Sequence, residues 1–296
     1  MSRNDGRMGL PDNLVFDHDP NETPSAPAPN YTAEDNLAWT IPTEFVSLPS
    51  KGLFYPEGHP LHKVESVEIK YMTAQEEDML TSESLIKKGV AIDRVLKSVL
   101  VDKSIPLGDL LVADKNALVA GTRITGYGPE YETTVTCPSC KAEVEHEFNL
   151  DISDYEDSDP LAPLRELGLQ LTDNKTIVIE LPLSKKMVEC RLLTGRDQEK
   201  IGVVKIRKTK GPTVETNTTD MLKRLVVAVD GDEDRFAVTA FVKTMPARDS
   251  KYLRSVVDKI SPVHRFESEF QCESCGMTAD VEVPLSIRFF WPNAKI

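Results

Sequence analysis

Apolar residues recur at helical spacing in two stretches that read alike. Ile92, Val95, Leu96 and Val99 fall three and four positions apart along 93–102 and its approach, and Leu222, Leu225, Val226 and Val229 do the same along 221–230. Both stretches are expected to be amphipathic helices with one buried stripe. Upstream of each, a strand end runs into a helix start. Thr73 with Glu76 and Thr194 with Asp197 have the three-residue spacing of a capping box, in which the hydroxyl accepts from the first-turn amides and the acid reaches back. A third helix is expected to begin at Asp114 (DKNALVAG) and again at Asp249 (DSKYLRSV), both read as N-caps. Four alternating segments then read as strands: YETTVT and AEVEHEF on either side of Cys137-Pro138-Ser139-Cys140, and HRFESEF and TADVEVPL on either side of Cys272-Glu273-Ser274-Cys275.

The two series keep step. Cys137 and Cys272 stand 135 positions apart, and so do Asp114 and Asp249, whereas Thr73 and Thr194 are separated by 121. The second series therefore carries extra loop, placed around 205–220 and 230–235. The fold expected is α+β, with two tandem pseudo-repeats. Each repeat has strands, about three helices and a Cys-x-x-Cys zinc-knuckle hairpin. The expected boundaries are 64–155 for the first repeat, 156–171 for an acidic linker and 172–296 for the second.

Two segments lie outside that pattern. Residues 1–44 are rich in Pro, Asn, Asp and Ser with little periodic apolar content, which predicts a disordered acidic arm. Residues 45–63 set Phe45, Val46, Leu48, Leu53, Phe54 and Tyr55 among Pro49, Gly52, Pro56, Gly58 and Pro60. Prolines lack the amide that helices and central strands need, so an extended strap is expected here. Leu48, Lys51, Leu53, Phe54 and Tyr55 are its candidate partner-binding residues.

Length and charge narrow the function. A chain of 296 residues suits about two domains. Its formal net charge of −13 disfavours nonspecific attraction to nucleic acid or anionic lipid. No apolar run reaches the roughly 18 residues of a membrane span, and the N-terminus lacks the apolar core of a signal peptide, so a soluble, unexported protein is expected.

Five cysteines in such a chain argue against a disulfide scaffold and for metal. Each Cys-x-x-Cys supplies two of the four thiolates a structural Zn²⁺ takes, and the other repeat has the two that are missing. One shared site of Cys137, Cys140, Cys272 and Cys275 is the reading favoured. Other readings stay open: a redox pair, separate sites completed by His146 and His264, or cysteines that hold no metal. Cys190, alone in MVECRLL, reads as a small buried hydrophobe. The basic residues Lys205, Arg207, Lys208 and Lys210 read as an exposed loop, His59 and His62 as surface residues, and Phe289, Phe290 and Trp291 as core. GTRITGYG at 121–128 lacks the lysine of a phosphate loop and is rejected as one. No catalytic constellation can be assembled from the rest.

The strap LPSKGLFYPEGHPL, the cap YMTAQEEDML and the run LLVADKNALVAGTRITGYGPEYETTVTCPSC resemble the T4-type bacteriophage baseplate hub family. The resemblance covers roughly 45–155 and, through the internal repeat, more loosely the remainder. It implies a non-enzymatic structural or assembly role in the baseplate hub of a contractile tail, with other hub and tail proteins as partners and no catalytic residues. It places the protein in the host cytoplasm during assembly and leaves open whether it stays in the virion tail. No membrane partner is expected, nucleic acid is disfavoured and homo-oligomerisation is left open. The competing reading is a zinc-ribbon-like nucleic-acid-binding or regulatory protein, which would need a basic face interleaved with aromatics.

Overall fold

In the computed structural model, residues 41–150, 158–202, 217–262, 267–283 and 289–290 are described. Strands β1 (Thr43–Ser47) and β2 (Ser66–Lys70) pair antiparallel with Val46 opposite Val67. Strand alternation turns Val46, Val67 and Ile69 into the core and leaves Phe45 outside. Helix α1 (Ala74–Thr81) starts at the expected capping box: Thr73 Oγ1 accepts the Gln75 amide, and Glu76 Oε2 accepts the Thr73 amide at 2.8 Å. Helix α2 (Glu83–Lys88) ends at Gly89. Helix α3 (Ala91–Val99) buries Val95, Leu96 and Val99, and Leu100 beyond it forms a bridge to Ile69. A 3₁₀ turn at Leu107–Asp109 precedes helix α4 (Val112–Tyr127) and the hairpin of β3 (Glu130–Thr136) and β4 (Glu143–Asn149).

A short helix, α5 (Ala162–Glu166), leads into a second series. Strands β5 (Ile177–Glu180) and β6 (Met187–Cys190) form a hairpin, followed by helices α6 (Gly195–Gly202) and α7 (Asn217–Leu225) and by strand β7 (Val226–Val229). Helices α8 (Arg235–Thr244) and α9 (Ala247–Ile260) then lead to the hairpin of β8 (Glu267–Gln271) and β9 (Thr278–Glu282). The fold class is α+β: helices with small antiparallel sheets, one of three strands in the order β5-β6-β7 and three of two strands among the described residues. Most of the buried apolar side chains, from Val46 to Phe290, form one continuous core that draws on both series. Among the described residues no helix is long and apolar enough to cross a membrane.

Several expectations are corrected. The helical pattern read through 221–230 breaks at Leu225, and Val226–Val229 is a strand. A β-branched run packs well on a pleated surface, and β6 offers it the ladder. Asp114 and Asp249 are not N-caps but the third residues of α4 and α9, which start after Leu111 and Pro246. GTRITGYG lies largely within α4. The interval 156–171 contains α5, with Leu164 buried.

The strap is a compact turn-rich loop, not an extended ribbon. Its first residues belong to β1, and Leu48, Phe54, Tyr55 and Leu61 are buried in the chain's own core. Lys51 and Leu53 are half-buried. Gly52 sits at φ +68, where a Cβ would run into the Leu61 carbonyl and the Val64 amide, so the turn admits glycine alone. Hydrophobic burial outweighs extension here because the chain can fold its own aromatics inward at once. Of the expected arm 1–44, residues 1–40 lie outside the described residues, and Thr43 and Glu44 open β1.

Candidate metal centre

Each Cys-x-x-Cys occupies the tip of a hairpin whose strands end in register. Thr136 pairs with Glu143 and Gln271 with Thr278, so both pairs close a six-residue loop. The two loops match bond for bond. The Cys137 amide donates to the Ala142 carbonyl at 2.8 Å and the Cys272 amide to the Met277 carbonyl at 2.9 Å. The Lys141 amide donates to the Cys137 carbonyl at 3.0 Å and the Gly276 amide to the Cys272 carbonyl at 2.8 Å. The residue after each second cysteine takes a left-handed conformation, Lys141 at φ 62° and Gly276 at φ 70°. That turn folds both sulfurs of a pair to one side.

The hairpins then meet. Phe270 of β8 is buried between them with Cys137 and Cys272, against Val135, Val144 and Val281, in a small apolar cluster that Val135 and Val281 join to the main core. The His146 ring of β4 lies edge-on to Phe148 at 4.7 Å and to Phe270 at 5.6 Å between centroids. This packing brings all four sulfurs within 4.8 Å of one another. Cys137 Sγ is 3.8 Å from Cys275 Sγ, and Cys140 Sγ is 3.6 Å from Cys272 Sγ. A tetrahedral ion with Zn–S bonds of about 2.3 Å has S···S edges of about 3.8 Å, so the donor set fits that group. Cys137 and Cys272 are buried, while Cys140 and Cys275 are exposed.

The two thiols of the first pair are shifted in opposite directions. Hydrogen bonding from the Cys140 backbone, helped by Ser139 and the neighbouring thiols and opposed by burial, lowers the Cys137 thiol to about 6. Cys140 moves the other way, up to about 11. The Ala142 amide favours its charge, but desolvation and the thiols of Cys275, Cys272 and Cys137 oppose it. One sulfur of the pair thus ionises more readily than an ordinary thiol and the other less readily.

The remaining candidates lie elsewhere. His146 packs on Phe270 and is not among the clustered ligands, and His264 is outside the described residues. Cys190 is buried in the main core, where desolvation pushes its thiol up to about 12. The basic residues 205–210 and Trp291 are outside the described residues, whereas Phe289 and Phe290 are buried. His59 is half-buried, stacked on Tyr55 at 4.4 Å, and the ring of the half-buried His62 reaches the Tyr55 carbonyl. The outer face of the first hairpin carries exposed Glu130, Glu132, Glu143, Glu145 and Glu147, with Glu132 directly opposite Glu147. A phosphate backbone is repelled by that face.

One pair of structural sites went unread in the sequence. The Asp114 carboxylate accepts the Ser50 amide at 3.0 Å, the Ser50 hydroxyl at 2.6 Å and the Tyr55 hydroxyl at 2.6 Å. Asp249 accepts the amides of Leu183 at 2.8 Å and Ser184 at 2.9 Å. The signal was the recurrence of Leu48-Pro49-Ser50-Lys51 as Leu181-Pro182-Leu183-Ser184-Lys185.

Among known families, the one described as T4 bacteriophage base plate protein matches the chain over residues 43–291. No curated protein and no solved structure matches the chain.

Proposed function

Since this chain belongs to the T4 bacteriophage base plate protein family, we propose that it is a non-enzymatic protein of the baseplate hub, acting by binding other hub and tail proteins during tail assembly. The observation that carries this reading is the family match, which spans the described fold from its first strand through its last hairpin. On this reading the protein works in the host cytoplasm as the tail is built and is found at the tail baseplate.

The cysteine cluster has a structural part in that role. Cys137, Cys140, Cys272 and Cys275 would hold one Zn²⁺, which supplies four bonds that tie two hairpins distant in sequence. Four thiolates and no open ligand position suit a structural ion, not a catalytic one. The acidic outer face of the first hairpin speaks against the zinc-ribbon nucleic-acid alternative.

The test is deletion of the gene in the parent virus, followed by electron microscopy of lysates. Filled heads without baseplates are expected, with rescue by a Cys190→Ala copy and none by a Cys137→Ser/Cys140→Ser copy. Normal infectious particles from the deletion, together with salt-sensitive retention of the purified protein on DNA, would overturn the hub role in favour of nucleic-acid binding.

A further inference from the structure

The two series of elements touch through a short main-chain bridge. The Val112 amide donates to the Leu193 carbonyl at 3.2 Å and the Gly195 amide to the Leu110 carbonyl at 2.8 Å, on either side of an antiparallel pair, Leu111 and Thr194. The contact thus joins the residues just before α4 to those just before α6. Ion pairs flank it, Arg196 with Asp109 at 3.1 Å and Lys115 with Glu199 at 3.6 Å.

Each side of this bridge has a counterpart in the other series. Thr194 precedes α6 as Thr73 precedes α1. Each carbonyl accepts two first-turn amides, from Glu76 and Glu77 or from Asp197 and Gln198, and each amide is held by the acid three residues on. Leu111 precedes α4 as Pro246 precedes α9. Their carbonyls accept from Lys115 and Ser250, and both helices carry a buried aspartate at the third position. The counterparts of the four bridging groups are the Met72 carbonyl, the Ala74 amide, the Met245 carbonyl and the Ala247 amide. Among the described residues none of these four makes a backbone hydrogen bond of that kind, and Ala74 and Ala247 are exposed. That Pro246 lacks an amide does not matter. The corresponding Leu111 amide donates to the Tyr55 hydroxyl and takes no part in the bridge.

We propose that the chain is two copies of one unit and that the same bridge recurs between chains, Met72–Ala74 of one copy pairing with Met245–Ala247 of the next. The occupant of each open half-bridge is thus a second copy of this chain. The contact joins two different surfaces, and each chain carries both, so it closes as a two-fold dimer with both bridges made or extends as a larger ring or a filament. The net charge of −13 makes copies repel at low salt, and screening strengthens the association as salt rises. The inference rests on equivalence of the two halves and not on the hub role, so either can fail without the other.

Proline at the first helical position tests it, because that position tolerates proline while its amide is lost. Thr73 at ψ 173° and Pro246 at ψ 142° are already extended, as a residue before proline must be. Sedimentation of the full-length, metal-loaded protein is expected to show a mass above one 33.0 kDa chain that rises with concentration. Ala74→Pro and Ala247→Pro should each weaken association at least about tenfold with the melting temperature unchanged, and an equimolar mixture should form a dimer and nothing larger, because each variant keeps one intact half. Wild-type protein needs no variant for a second readout: the Ala74 and Ala247 amides should gain protection from hydrogen exchange as concentration rises. A single-chain mass up to about 1 mM, variants that assemble like wild type, or a mixture that stays monomeric would overturn the proposal.

Discussion

Asp114, third residue of α4, holds Ser50 by both its amide and its hydroxyl across 64 positions of sequence. Tyr55 donates to the same carboxylate and accepts the Leu111 amide at 2.9 Å, so one buried acid fixes the turn after β1 against the start of α4. Burial raises the Asp114 carboxyl, against the pull of Ser50 and Tyr55, and pushes the Tyr55 hydroxyl far above its ordinary value, which keeps it a donor. Asp249 repeats the clasp with two amides alone.

Truncating Asp114 leaves three donors without a partner. Asp114→Ala is therefore expected to destabilise the protein by about 3 kcal/mol or more, as read from urea unfolding, with a smaller loss for Asp249→Ala, whose carboxylate serves two amides. Equal losses would show that the Ser50 and Tyr55 hydroxyls add nothing.

Phe54→Ala should cost about 3 to 5 kcal/mol of stability in the isolated protein, because the ring is buried in its own core. An unchanged unfolding midpoint would return Phe54 to the surface. Gly52→Ala, which forces a Cβ against the Leu61 carbonyl at positive φ, should cost more than about 1 kcal/mol for the same turn.

Metal analysis of protein purified without chelator is expected to give about one Zn²⁺ per chain. Cys137→Ser and Cys275→Ser should lose it alike, and both should melt at lower temperature, because each removes one ligand of the same ion. Two ions per chain, or one variant that keeps its metal, would separate the two hairpins.

Acid should weaken one ion pair in a defined window. Burial works against the Asp197 charge, but Arg191, with Nη1 at 2.7 Å, and the Thr194 amide and hydroxyl outweigh it and hold the carboxyl below its ordinary value. A depressed folded pKa contributes stability that is present above the unfolded value of about 4 and is lost as pH falls through the folded value. The stability gap between wild type and Asp197→Asn should therefore be widest near neutral pH and narrow below about pH 4. A gap that is constant with pH would assign the loss to hydrogen bonding alone.

Local chemistry made much of this protein legible from sequence. The capping box at Thr73 and the Thr194 amide held by Asp197 depend on residues three apart, the stripe of Val95, Leu96 and Val99 on helical period, and the alternating strands around the cysteines on a period of two. The four metal candidates were legible because Cys-x-x-Cys is itself a local geometry. Tertiary structure alone decided what depends on a distant partner. Val226–Val229 has the spacing of a helix, yet it is a strand because β6 presents an open ladder. Phe54 and Tyr55 look like an exposed anchor beside prolines, yet they are buried because the turn at Gly52 folds them under α4, where Asp114 waits. That two cysteine pairs about 135 positions apart come together was expected from ligand count, since each pair lacks two of four thiolates, but the means was not: the packing of Phe270 between the hairpins brings Cys137 to Cys275.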